Sequence, residues 1–107
     1  MDAPVSRRVL GLLGLGLRGR MAVVGVDRVR EAAQKGTLRL ALVAVDASKN
    51  SLGKVVPLLT AKGVRMIEFD SAAALGNAVG KDATTVIGIV DAHLANGIRG
   101  IVDSAIG

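Results

Sequence analysis

The 107 residues hold one aromatic side chain, Phe69, and no cysteine, which excludes disulfides, thiolate metal sites, a cysteine nucleophile and base recognition on an aromatic sheet face. Apolar residues make up half the chain, enough for one core of Val, Leu, Ile and Ala at a length that suits a single domain over 1–107. The net charge is +5, and the longest apolar run near the N-terminus, Val9 to Leu17, is too short to cross a bilayer and is followed by Arg18, Gly19 and Arg20 rather than a cleavage site, so a cytoplasmic chain with no membrane partner is expected.

Residues 1–6 are expected to form a loose end, because Pro4 is unsuited to continuing a helix. Val9, Leu10, Leu12, Leu13, Leu15 and Leu17 then fit an apolar helix over Arg7 to Leu17, weakened by its glycines. Met21 to Val24 reads as a short strand. Val26, Val29, Ala32 and Ala33 recur at helical spacing opposite Arg28, Glu31 and Lys35, and Gly36 supplies a stop, so a helix spans Val26 to Lys35. Leu40 to Val45 is an unbroken apolar run ended by Asp46. It predicts a central strand buried on both faces, with helices from the flanking segments Val26 to Lys35 and Val56 to Lys62 above and below it.

Ala47 to Ser51 reads as a turn, and a helical pattern follows through Leu52, Val55, Val56, Leu58 and Leu59. Pro57 is placed in the first turn of a helix that runs to Lys62 and stops at Gly63, with a short helical turn ahead of it. Val64 to Phe69 is a strand, Ser71 caps a helix from Ala72 to Val79, Thr84 to Val90 is a β-branched strand, and Ala92 to Ala105 forms the last helix. Strands and helices alternate throughout. The predicted fold is therefore α/β, a three-layer α/β/α sandwich around a mixed sheet of about four strands.

The charge is unevenly spread. Residues 1–39 carry eight basic side chains against three acids, and residues 40–107 carry six of each. A basic half beside a neutral half predicts one electropositive face suited to an anionic partner such as RNA. Gly14, Gly16 and Gly19 match G-x-G-x-x-G, the fingerprint in which a strand, a tight turn and a helix N-terminus hold a dinucleotide pyrophosphate. A helix beginning near Arg18 would have to run through Met21 to Gly25, a poor helical stretch, and the nearest candidate acid, Asp46, lies late. Other catalytic sets are missing: His93 is the one histidine, Ser48 has no histidine in a nucleophile motif, and no metal-ligand spacing occurs. Asp46, Asp70, Asp82 and Asp91 fall at predicted strand ends, where Asp commonly serves as a cap or turn residue. No cofactor is expected.

Gly25 to Gly36, the strand ending Val45-Asp46-Ala47-Ser48, the segment Val56-Pro57-Leu58-Leu59, and Leu75-Gly76-Asn77-Ala78-Val79-Gly80-Lys81 together resemble, in order and spacing, the L-seven-Ae ribosomal protein family of RNA-binding domains. Its short bacterial members are the most similar, and the similarity runs from about Leu10 to Ile98. The resemblance implies an α/β/α sandwich around a four-stranded sheet and binding to structured RNA, in the best-known members a kink-turn with tandem sheared G·A pairs. In those members a Gly, a small residue, an Asn and a Glu open the second helix, and a Lys follows three residues later. The corresponding positions here are Gly25, Val26, Asp27, Arg28 and Glu31, of which the glycine matches. Asp27 only accepts where an Asn donates and accepts, and Glu31 brings a negative charge to the place of the lysine. The family's second contact loop, apolar there, reads Lys81-Asp82-Ala83-Thr84 here. Arg28 and Arg30 at the helix start, with Arg18 and Arg20 from the preceding loop, are the residues expected to hold phosphates.

The first reading is thus non-enzymatic binding of structured RNA, ribosomal RNA or another kink-turn-like RNA, with the ribosome or another RNA-binding protein as further partners. The alternatives are a dinucleotide-binding domain of an oxidoreductase, resting on Gly14, Gly16 and Gly19, and a protein-interaction module on the same fold.

Overall fold

A computed structural model describes residues 3–106. The elements run α1 (Ala3–Arg18), β1 (Ala22–Val24), α2 (Val26–Lys35), β2 (Leu40–Val43), α3 (Lys49–Ala61), β3 (Met66–Glu68), α4 (Ala72–Ala78), β4 (Val86–Ile89) and α5 (Ala92–Ile106). The strands form one mixed sheet in the order β1-β4-β2-β3. β4 is antiparallel to both neighbours, pairing Ile89 with Ala22 on one side and with Leu40 on the other. β3 runs parallel to β2, Met66 beside Ala41. β1, β2 and β3 therefore all point the same way.

β2 and β4 are buried along their whole length, as expected for the central strands of a layered sheet. Leu40, Leu42, Ile87 and Ile89 face a core layer with Val9 and Leu13 of α1, Leu75 of α4, and Ile98 and Val102 of α5. Ala41, Val43 and Val86 face the opposite layer, with Val29 and Ala33 of α2 and Val55 and Leu59 of α3. The molecule is the expected three-layer α/β/α sandwich. The helices on either side of β2 in sequence do not lie on opposite faces of it, however: α2 and α3 pack against each other. Each closes a crossover between parallel strands, and both steps advance across the sheet in the same direction. Crossovers of one hand then put both helices on one side.

Other departures from the sequence reading have local causes. Ala3 to Ser6, expected as a loose end, already belong to α1, with Pro4 in its first turn, where a missing N–H costs nothing; Met1 and Asp2 lie outside the described residues. α3 begins at Lys49 rather than at Pro57, because the Ser48 side chain accepts from the Ser51 N–H at 3.1 Å and caps it. Pro57 lies inside the helix, exposed, between the buried Val55 and Leu59. β2 ends at Val43, and Val45 is 60% exposed in the turn that follows. Elsewhere the reading holds: α2 spans Val26–Lys35 and ends at Gly36 with φ 76°, and Ser71 caps α4 by accepting from Ala74.

The glycine motif at Gly14, Gly16 and Gly19 sits in and just after α1, with no strand before it and no helix N-terminus after it. Its glycines serve close packing instead. A Cβ on Gly14 would lie 2.8 Å from the Ala78 carbonyl oxygen in α4, and one on Gly16 would lie 2.5 Å from the Leu94 side chain in α5. The strand-turn-helix geometry that a dinucleotide needs is absent from this segment.

Candidate nucleic-acid interface

The sheet has two ends, and the candidate residues divide between them. At the end where β1, β2 and β3 finish, the Gly25 N–H donates to the Val86 carbonyl at 3.0 Å, and the Ala44 N–H donates to the Thr85 carbonyl at 2.8 Å. These two bonds draw together the N-terminus of α2, the 81–84 segment entering β4, and the turn that follows β2. Gly25, Val26, Asp27 and Arg28 thus share a surface with Lys81, Asp82, Ala83 and the exposed Val45. Val45 is a member that the sequence reading assigned to the buried strand.

The N-terminus of α2 is open. Gly25 stands at its cap position with φ 95°, a conformation that side-chain-bearing residues rarely adopt, and it provides no side-chain cap. No atom lies within 4 Å of where its Cβ would be. The first-turn N–H groups of α2, with the positive end of the helix dipole, therefore face outward as donors.

The 81–84 segment is held by α4. The Lys81 N–H donates to the Gly76 carbonyl at 2.8 Å and the Thr84 N–H to the Ala72 carbonyl at 3.0 Å. The Ala83 backbone lies so close to Gly76 that any Cβ there would collide with it, which explains the glycine in Leu75-Gly76-Asn77. Thr84 is buried, its hydroxyl donating to the Val86 carbonyl at 3.2 Å, so it shapes the loop and presents no group outward.

Three of the expected phosphate holders are elsewhere or engaged. Arg18 and Arg20 lie before β1, across the length of that strand from Gly25, roughly 10 Å of chain. Arg30 donates to the Lys54 carbonyl and ties α2 to α3. Glu31 is paired with Lys35 at 2.7 Å, and this contact holds its carboxyl below the ordinary carboxylate range, with Arg28 adding to the effect. Of the four arginines, Arg28 alone stands exposed at the α2 end. Asp27 precedes it in the first turn of α2, and Asp82 lies in the 81–84 segment at the same end of the sheet. Asp46 and Asp70 act as backbone acceptors for Ala72 and Ser71, both at 2.8 Å, and Asp91 accepts from Leu94 at the start of α5. These acids cap turns and helices and form no catalytic cluster. No group of three or more potential metal ligands occurs among the described residues, and no described helix is long and apolar enough to cross a membrane.

The chain matches the model of the ribosomal protein L7Ae/L30e/S12e/Gadd45 family over residues 8–96. It is similar to the RNA-binding protein YlxQ of Bacillus subtilis (strain 168), 34% identical over 92 residues that cover 86% of this chain and 92% of that protein. Among solved structures, a protein of unknown function from Bacillus halodurans superposes with a TM-score of 0.81 at 28% identity, over 89% of this chain and 96% of that one. The 15.5kD RNA binding protein of Giardia lamblia superposes with a TM-score of 0.76 at 24% identity, over 97% and 89%, which shows a shared fold.

Proposed function

From a chain that belongs to the ribosomal protein L7Ae/L30e/S12e/Gadd45 family, we propose a non-enzymatic domain that binds a structured cytoplasmic RNA through the end of the sheet carrying Gly25. The observation that carries the reading is the meeting of the open α2 N-terminus with the 81–84 segment and Val45 on one surface. Its similarity to a protein named as RNA-binding supports the same class of ligand.

Each part has a chemical task. The free N–H groups of α2 donate to phosphate or base acceptors, and Gly25 lets the RNA approach the backbone without a side chain between them. Asp27 accepts, so it suits an amino edge of a base. Arg28 and Lys81 contact phosphates. Val45 supplies the apolar contact that the polar 81–84 segment does not. With Arg28 and Lys81 set against Asp27 and Asp82 on this surface, shape and hydrogen bonding carry recognition at this end more than net charge does.

The test is a titration with a kink-turn RNA and with the same RNA lacking its G·A pairs, each at two salt concentrations. Binding that requires the G·A pairs is the expected result. Val45→Asp, at an exposed position, should weaken it about tenfold, about 1.4 kcal/mol. Equal binding to both RNAs would reassign the target to another structured RNA, and no binding to either would overturn the proposal.

A further inference from the structure

An arginine stands just before each of the three parallel strands: Arg20 before β1, Arg39 before β2 and Arg65 before β3. Because those strands point the same way, with β1 and β2 in register through β4 and β3 in register with β2, all three arginines emerge at one end of the sheet, opposite Gly25. Arg20 and Arg39 are two strand spacings apart, about 10 Å, and Arg39 and Arg65 one spacing, about 5 Å. Arg18 and Lys62, at the ends of α1 and α3, and Arg99 on α5 lie at the same end.

Arg18 borders a hollow between α1 and α4, whereas three of these groups, Arg39, Lys62 and Arg99, line a separate one of about 460 Å³ together with Gly36, Val64 and Asn96. Arg99 is fixed in it, donating to the Arg39 carbonyl and, at 3.0 Å, to the Asn96 side-chain oxygen. Arg65 is engaged by Asp103, and Asp91, which follows β4 at this end, accepts from the Leu94 N–H. Arg18, Arg20, Arg39 and Lys62 form no ion pair among the described residues. Most of the molecule's excess positive charge thus faces solvent here, and almost none of it at the Gly25 end.

We infer that this basic end is a second RNA-contacting surface, which grips backbone phosphates of a duplex segment. The choice of RNA as the anion rests on the function proposed above; the location does not. Guanidinium forks match phosphate oxygens in pairs, and the absence of tryptophan and tyrosine leaves no stacking anchor there, so contact is with the backbone and independent of sequence.

The experiment follows the amide resonances of isotope-labelled protein during titration with a plain RNA duplex that has no kink-turn, and separately with a kink-turn RNA. The duplex should move the amides of Gly36, Arg39, Gly63 and Asn96 and leave Gly25 to Arg28 in place. In the Arg39→Gln/Lys62→Gln variant the duplex affinity should fall at least tenfold, and the slope of log affinity against log salt should shrink by about 1.8, two phosphates at about 0.9 each. Both side chains are exposed with no internal partner, so the fold and the kink-turn shifts at Gly25 should be retained. Were the variant to unfold, the wild-type shift map alone would decide. The inference fails if the duplex does not bind, if it moves the Gly25 end instead, or if the variant binds it as tightly. A duplex bound at the basic end with no kink-turn shifts at Gly25 would instead overturn the placement proposed above.

Discussion

Single residues in this chain divide between holding the fold and facing outward, and the two arginines of α2 illustrate it. Arg28 is exposed at the helix start, whereas Arg30, two residues on, is spent on the Lys54 carbonyl. Sequence spacing puts both near the same helix end, and only the packing of α2 on α3 separates their roles. Asp103 and Arg65 are a further pair of this kind, joined by two bonds at 3.0 and 2.6 Å across 38 positions of chain. The bond to Arg65 lowers the Asp103 pKa and raises that of Arg65. A carboxyl whose pKa is lower in the folded state contributes stability above its unfolded pKa, near 4, and loses it as pH falls through the folded value. Asp103→Asn should therefore lower stability slightly at neutral pH and leave it unchanged at the acid limit. Denaturant midpoints of both proteins, measured across the acid range, should converge as pH drops; curves that stay parallel would mean the pair contributes nothing.

At the scale of elements, what could be read from sequence is what short-range chemistry decides. α2 was legible to the residue because its apolar positions recur at helical spacing and Gly36 ends it in a left-handed turn. β2 and β4 were legible as buried because their apolar runs are unbroken. α3 was legible only in part: its apolar spacing runs from Leu52, but a proline in a helix interior removes one hydrogen bond and costs about 3 kcal/mol, which argued for placing Pro57 in the first turn. The flanking Val55 and Leu59 are both buried, and that packing carries the helix through the break. Pro57→Ala restores the donor to the Gly53 carbonyl at an exposed position. It should raise stability by about 2 kcal/mol, the helix gain less the added freedom of the unfolded chain. A shift of the urea midpoint upward with no change in slope is the expected reading, and a downward shift would show the proline to be favourable where it stands. The side of the sheet on which α3 lies was not legible at all, since it depends on the order β1-β4-β2-β3, which no local pattern encodes.

For the molecule as a whole, the same strand order decides where charge goes. The sequence shows a basic first third and predicts one electropositive face, and the fold redistributes those residues. Arg28 lies at one end of the sheet, and Arg18, Arg20 and Arg39 at the other, where Lys62, Arg65 and Arg99 from the neutral part of the chain join them. Their convergence follows from three strands sharing a direction, a fact of topology. A body about 30 Å across in each direction with six basic residues converging on one end of its sheet is electrically lopsided. On the two surfaces proposed above, the field of a polyanion would turn such a body before contact, so that the arginine end leads and the Gly25 end engages after a reorientation. Stopped-flow binding to a kink-turn RNA with duplex arms should accordingly show an association rate that drops steeply with salt while dissociation changes little. The order of arrival would then be set by one arginine ahead of each parallel strand.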